Sequence, residues 1–391
     1  MIQKPTTAFA DSKPHYEILD GLRGVAALLV VWYHIHEGFA FAGSVNGVGN
    51  GLITSFNHGY LAVDFFFILS GFVIGYAYDD RWGKGFGQRE FYRRRLIRLH
   101  PMVVMGAFIG MVCFFIQGGT MWDGKEVPLS AVVLALFCAM FMIPALPGSS
   151  YEVRGNGEMF PLNGPAWSLF FEYIGNILYA LFIHRLATRT LTWITVVLGV
   201  LLVAFTTFDV SGYDMLGVGW TLDGVNFFGG LLRMLFPYTL GMLLARRFKP
   251  MKIRGAFWWC ALCLLLVFAV PYLKVDGPIS LNGVFEAVCV VCVFPLLVCV
   301  GASDNLSGKR STWLCRFLGR LSYPLYMIHY PIFYVFYAWL IKNHRYSLGA
   351  SWGMVVVVMI VTLGTAVCVM KFYDEPVRHW LAKKWPARRS S

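Results

Sequence analysis

Ionisable side chains stand inside stretches of this sequence that are otherwise apolar. His34, with His36 and Glu37 close behind it, lies in the first such stretch and Asp64 in the second; Glu172, Arg233, Glu286 and His329 lie in later ones. Charge inside a membrane-spanning segment is expensive, so each of these is a functional candidate by default. A histidine is the natural general base near neutral pH. A carboxylate on its other ring nitrogen fixes the tautomer and raises basicity, and Asp64 or Glu172 is expected to supply it. The bland alternative is that these groups satisfy one another in a packed bundle. Burying so many for packing alone costs stability, which favours the functional reading for the group. His34 and His36 are two residues apart and fall on different helix faces, so no metal site is expected.

A second feature is RRRLIRLHP, residues 93–101. On a helix Arg94, Arg95 and Arg98 fall within one turn. Guanidinium forks bind phosphate bidentately, which suits a phosphate-rich ligand. Topological charge and anionic headgroups are the competing explanation. A third is SYPLYMIHYP, residues 322–331, where two prolines flank His329 in company with Ser322 and Tyr326. Proline frees backbone carbonyls and suits helices that line cavities. Ser70-Gly71 reads as a packing pair. The chain has no G-x-S-x-G elbow and no glycine-rich phosphate loop, so hydrolase and nucleotide-kinase chemistry lack support.

The elements that position these residues are set by composition. Of 391 residues 58% are hydrophobic and 14% charged, and 33 Lys+Arg against 21 Asp+Glu give +12. That excludes a disordered chain, a disulfide-stapled module and an ordinary cytosolic enzyme. The basic residues fall in short loops between apolar runs, so topology rather than nucleic acid explains them. Eleven apolar runs recur, near 22–41, 60–78, 101–117, 127–146, 167–183, 191–208, 224–245, 255–272, 282–300, 322–341 and 351–371. They are too long and uniformly apolar for barrel strands, so the expected fold is an all-α, polytopic transmembrane helix bundle.

Charge orients the bundle. Segment 79–100 carries seven Lys/Arg and 246–254 carries five, whereas 209–223 has three Asp and no basic residue. The basic segments, with 184–190, 301–320 and the C-terminus, are placed in the cytoplasm. Three runs between two cytoplasmic segments break parity, so one of 101–117, 127–146 and 167–183 is expected not to cross. The doubt falls on 127–146, which ends in IPALPGSS. About ten full spans result, with one re-entrant or interfacial helix and both termini cytoplasmic. The expected division is a cytoplasmic segment 1–20, a transmembrane domain 21–371 and a basic cytoplasmic tail 372–391, with no signal peptide. His34 lies eleven residues beyond Arg23, about 16 Å along a helix, in the outer half. Asp64, Glu172 and Glu286 each begin an inward-running helix and share that depth. Nine cysteines cannot all pair, and most sit in apolar runs as small hydrophobes; Cys260-x-x-Cys263 and Cys289-x-x-Cys292 mimic a zinc ribbon only superficially.

Several segments together resemble the membrane acyltransferase 3 family. They are DGLRGVAALLVVWYH (20–34), VDFFFILSGFVI (63–74), RRLIRLHP (94–101), NGPAWSLFFEYIGNILY (163–179), SYPLYMIHYP (322–331) and YDEP (373–376). They come in the family's order across essentially the whole chain. The resemblance implies an integral-membrane enzyme moving an acyl group, commonly acetyl from acetyl-CoA, onto a carbohydrate hydroxyl. It implies His34 as the essential histidine, Arg23 as its motif partner, and Arg95 and Arg98 as the R-x-x-R facing cytoplasmic acyl-CoA. It makes Glu172 the acid of W-S-L-x-x-E, with Trp167 and Asn163 in the same motif, and leaves His329 and Glu375 with less defined roles. His100 stands where a tyrosine is common. The esterase-like extracytoplasmic domain of some members is not in this sequence.

The combined expectation is that Arg94, Arg95 and Arg98 hold acyl-CoA phosphates, and that the pantetheine arm reaches His34 between helices lined by Asn163, Trp167, Ser322, Tyr326 and His329. The acceptor, a carbohydrate or glycolipid, enters from outside the bacterial inner membrane. Acyl-CoA is a co-substrate, and no permanently bound cofactor or metal is expected; membrane lipids are the other partners. Direct transfer and an acyl-histidine both remain open. So do an exporter of an acylated or lipid-linked glycan, since buried charge also marks substrate pathways, and a non-enzymatic scaffold.

Overall fold

A computed structural model describes residues 15–48, 58–83, 86–251, 253–273, 277–303 and 308–386. The first fourteen residues of the expected N-terminal segment and the last five of the basic tail lie outside the described residues. Among those described, the chain is helical and has no strand. The helices are α1 (Glu17–Val45), α2 (Ala62–Tyr78), α3 (Gln88–Gln117), α4 (Leu129–Met140), α5 (Ala166–Leu181), α6 (Thr188–Thr207), α7 (Gly224–Arg247), α8 (Ala256–Phe268), α9 (Leu281–Val288), α10 (Phe294–Gly301), α11 (Lys309–Lys342), α12 (Leu348–Val369) and α13 (Glu375–Lys384). A π turn, Cys289–Val293, joins α9 to α10, and another, Met370–Asp374, joins α12 to α13.

Every apolar run of the sequence forms a helix, and eight helical units are long and apolar enough to cross a membrane. The other three are α4, α5 and α8, with 12, 16 and 13 residues. At 1.5 Å per residue α4 is about 18 Å long, well short of a ~30 Å hydrocarbon core. Hydropathy alone starts α3 near 101 and α11 near 322, but the helices begin at Gln88 and Lys309. Their basic first turns continue the helix beyond the apolar layer.

Contacts fix the direction of each helix. α1 and α11 are parallel: Gly24 abuts Leu318 near their starts and Gly38 abuts Tyr337 near their ends. A Cβ on Gly24 would meet the Leu318 carbonyl oxygen at 2.5 Å, so only glycine permits this approach. α2 is antiparallel to α1, with Tyr16 against Tyr76 at one end and Tyr33 against Tyr60 at the other. α7 runs with α2, tied by Arg233–Asp64 at one end and Arg246–Asp79 at the other. These two helices nearly touch: a Cβ at Gly71 would sit 2.0 Å from the Tyr238 carbonyl oxygen, and one at Gly241 2.1 Å from that of Ile68. α5 is antiparallel to α3, pairing Tyr179 with Phe91 and Tyr173 with His100. Both flanks of α4 return to the far end of α3. Val127 N donates to Gly119 O at 3.3 Å, and Arg154 Nη1 donates to Gln117 Oε1 at 2.5 Å. Of the three runs that broke parity, α4 is the shortest helix, and both its flanks lie at the far end of α3. The arginines of the first turns of α3 and α11 and the last turn of α7 gather at the opposite end.

Candidate active site

His34 sits on α1 with its Nδ1 2.6 Å from Glu37 Oε2, one helical turn on. Tyr330 OH of α11 donates to the same carboxylate oxygen at 3.1 Å, and Tyr337 OH lies 3.0 Å from it. The Tyr337 hydroxyl also lies 2.6 Å from the His34 carbonyl oxygen. A carboxylate only accepts, so Nδ1 carries a hydrogen, and in the neutral ring Nε2 is then a lone pair. The His34 side chain is 14% exposed and that of Glu37 31%, so the pair is partly accessible rather than sealed in the core. The ring of His329 faces His34 at 5.3 Å between centroids, and Tyr330 packs edge-on at 4.7 Å.

Neither Asp64 nor Glu172 orients His34, contrary to the sequence expectation. Asp64 is enclosed and takes a fork of hydrogen bonds from Arg233, 2.7 to 3.1 Å, while Arg233 also reaches Tyr60 O and Val218 O and lies over the Trp167 ring at 5.2 Å. Glu286 accepts from Tyr60 OH and from Leu216 N. These groups tie the start of α2, α7 and α9 to segment 216–218. Glu172 is bonded to Arg95 at 2.6 Å and to Ser70 at 2.7 Å. Glu172 thus lies level with Ser70, six residues along α2 from Asp64, and not at the depth expected for it; the face each carboxylate presents selects its partner.

The arginine cluster also divides. Arg93 and Arg94 are both held by Glu90 at 2.7 Å. Arg95 is buried on Glu172. Arg98 is exposed, with Arg23, Arg95 and Asp20 as its charged neighbours. Arg23 is paired to Asp20 at 3.1 Å. Of the three expected phosphate ligands, only Arg98 is open in this arrangement, because Arg95 faces α5 and Arg94 turns back along its own helix. Glu375 pairs with Arg320 at 2.6 Å at the same end.

Asn163, expected near the substrate path, holds the backbone. Pro331 has no N–H, which frees the carbonyl of Met327 four residues earlier, and Asn163 Nδ2 donates to it at 2.9 Å. Tyr326 OH lies 2.7 Å from Ser168 Oγ, and Ser322 Oγ donates to Gly319 O. Between His34 and Arg98 the side chains of Phe66, Ser70, Glu172, Tyr173, Tyr323 and Tyr330 are partly exposed although they belong to packed helices. His100 Nδ1 meets Tyr173 OH at 3.2 Å.

Segment 141–165 packs at the end of the bundle away from the arginine-rich first turn of α3. Arg154 is fully buried, its guanidinium 3.4 Å from the centroid of the Tyr334 ring. Glu158 accepts from Tyr334 OH and from Asn156 Nδ2, and burial pushes its carboxyl up to about 7 against the pull of Arg154. Among the described residues no group of three His, Cys, Asp or Glu could hold a metal ion, and the cysteines are free thiols.

A family model described as an acyltransferase domain, acyltransferase 3, matches residues 16–371. The chain belongs to this family, as its motifs suggested. It is 27% identical over 327 residues to Acyltransferase MdmB of Streptomyces mycarofaciens, covering 80% of this chain and 78% of that protein. It is 25% identical over 343 residues to Peptidoglycan O-acetyltransferase OatA of Listeria monocytogenes, covering 84% of this chain and 51% of the relative. A putative peptidoglycan O-acetyltransferase of Bacillus subtilis, YrhL, is 25% identical over 329 residues, 80% of this chain and 48% of its own. The chain thus spans about half the length of the last two. No solved structure matches it. Family and helices together make this a multi-pass membrane protein.

Proposed function

We propose that the protein is an O-acyltransferase that moves an acyl group, acetyl in the simplest case, from cytoplasmic acyl-CoA to a hydroxyl of a carbohydrate at the outer face of the bacterial inner membrane. The observation that carries the reading is the His34–Glu37 pair, an imidazole with its Nδ1 committed and its Nε2 free. Ten helical units cross the bilayer and α4 returns on the outer side, leaving both termini in the cytoplasm. The contact-derived helix directions and the gathering of arginines at one end support this arrangement.

Acyl-CoA docks at the arginine end with Arg98 on its phosphates. Arg98 lies at the level of Arg23, which is about 16 Å from His34 along α1. An extended pantetheine arm of roughly 20 Å covers that distance, and the partly exposed side chains of Tyr173, Tyr323 and Tyr330 are the residues it would pass. His34 Nε2 removes the proton of the acceptor hydroxyl, whose oxygen attacks the thioester carbonyl. The C–S bond breaks and the departing thiolate takes the proton back. Glu37 stabilises the imidazolium in between. The same free Nε2 would serve if the acyl group passed first to the histidine. The acceptor class follows the peptidoglycan O-acetyltransferase names of two relatives.

The test is acetyl transfer in proteoliposomes, with acetyl-CoA inside and a peptidoglycan-type oligosaccharide outside. His34→Ala is expected to lower the rate at least 100-fold. Transfer at the wild-type rate would remove His34 from the chemistry.

A further inference from the structure

We propose that Trp122 and Phe41 form the subsite for a sugar ring lying beyond the one that is acylated, so that the preferred acceptor is an oligosaccharide rather than a single sugar. The inference rests on the acyltransferase reading with His34 as the base. His34, Glu37 and Phe41 stand at i, i+3 and i+7 and lie along one face of α1. Phe41 is about 10 Å from His34 along the helix axis, on the side away from Arg23. A six-membered ring built from bonds of about 1.5 Å repeats, with its glycosidic oxygen, roughly every 5 Å. A hydroxyl presented to His34 therefore leaves the next sugars of the same chain at the level of Phe41.

Ring contacts are continuous over that distance. From His34 they pass to Tyr330 at 4.7 Å, then Tyr337 at 5.9 Å, Phe41 at 5.8 Å and Trp122 at 5.0 Å. The Phe41 and Trp122 planes meet at 72°, and both side chains are partly exposed. The two rings thus make a corner rather than a closed stack. A sugar presents faces of C–H bonds and a rim of hydroxyls. An aromatic face suits the first and an indole N–H the second. Trp122 Nε1 is enclosed and has no hydrogen-bond partner among the described residues. A donor left without an acceptor costs free energy and calls for an explanation, and a sugar oxygen supplies the acceptor. The indole is itself held in place. Trp122 N donates to Arg154 O at 3.1 Å, and the buried Arg154 guanidinium lies 5.3 Å from the Trp122 ring and 3.4 Å from that of Tyr334. Arg154 therefore acts through Trp122, as a positioning residue.

The test measures acetyl transfer in proteoliposomes to a peptidoglycan-type oligosaccharide and to its monosaccharide unit, with thermal melting in detergent recorded for each variant. Wild-type kcat/KM is expected to favour the oligosaccharide at least 10-fold. Trp122→Leu keeps an apolar side chain but removes the flat face and the N–H. It is expected to raise KM for the oligosaccharide about 10- to 30-fold, with kcat and the KM for acetyl-CoA within about threefold, and to abolish the preference for length. Trp122→Phe restores a face without the N–H and is expected to fall between the two. If Trp122→Leu does not fold, Phe41→Leu takes its place with the same expected split. Equal wild-type turnover of the two acceptors, an unchanged oligosaccharide KM in the leucine variant, or a loss of kcat that is the same for both acceptors overturns the proposal. Absence of transfer to either acceptor by the wild type, or transfer retained in His34→Ala, overturns the underlying reading instead.

Discussion

Replacing Glu37 by glutamine isolates the charge of the carboxylate that holds His34. Three groups converge on Glu37 Oε2: the imidazole at 2.6 Å and the hydroxyls of Tyr330 and Tyr337 at 3.1 and 3.0 Å. Two of these three cannot turn away without losing their only carboxylate. An amide in this place therefore keeps its oxygen towards them, and His34 keeps its tautomer. What is lost is the charge on a hydrogen bond that strengthens when the ring is protonated. Charge-assisted bonds contribute about 1.5–3 kcal/mol, which at 1.36 kcal/mol per decade is roughly 10- to 150-fold in kcat/KM. Partial exposure of Glu37 favours the lower half of that range. Glu37→Ala, which removes the acceptor as well, should fall further. The assay is acetyl transfer under limiting acceptor, with thermal melting as the control for fold. An unchanged kcat/KM in Glu37→Gln would refute the assignment of Glu37 as the residue that orients and supports the base.

Arg98→Ala should raise KM for acetyl-CoA about tenfold with little change in kcat, and Arg94→Ala should do less because Arg94 is already held by Glu90; equal, small effects would return the cluster to a topological role. Glu158 has its folded-state carboxyl raised from 4.5 to about 7 by burial, so the protonated form is the one the fold prefers. Its contribution is complete below about pH 4.5 and is lost as pH rises through 7, on the order of 3 kcal/mol at most. Limited proteolysis of segment 141–165 should accelerate between pH 5.5 and 8, and Glu158→Gln should abolish that dependence. Gly241→Ala would force α7 away from Ile68, at a cost of about 1–3 kcal/mol, read as a lower melting temperature in detergent; an unchanged midpoint would show that the helices separate freely.

The apolar runs named the helices because a bilayer demands about 20 apolar residues per crossing. The Pro/Gly stretch after 140 ends the short α4, whereas hydropathy gave no sign that α8 would have only 13 residues. Helix starts at Gln88 and Lys309 were hidden because hydropathy does not report a helix that emerges into water. The carboxylates Asp64 and Glu172 were recognisable as costly, but a partner 169 or 77 residues away depends on which helices become neighbours. The His34–Glu37 spacing of three residues was visible and carries a direct meaning on a helix. Glu37 was a functional candidate there, but the carboxylate expected on His34 was sought on other helices, at Asp64 or Glu172. Asn163 lay in a motif and so looked chemical, whereas its visible contact is with a carbonyl freed by Pro331.

One hydrogen bond also bears on how the chain is made. Tyr337 lies 303 residues beyond His34, so at about 5–20 residues per second α1 waits roughly 15–60 s for α11 to emerge. During synthesis the imidazole already has Glu37 beside it on its own helix, whereas Asp64 must wait for Arg233. The nascent first segment can enter the lipid with its most sensitive ring already sheltered, long before the rest of the centre exists.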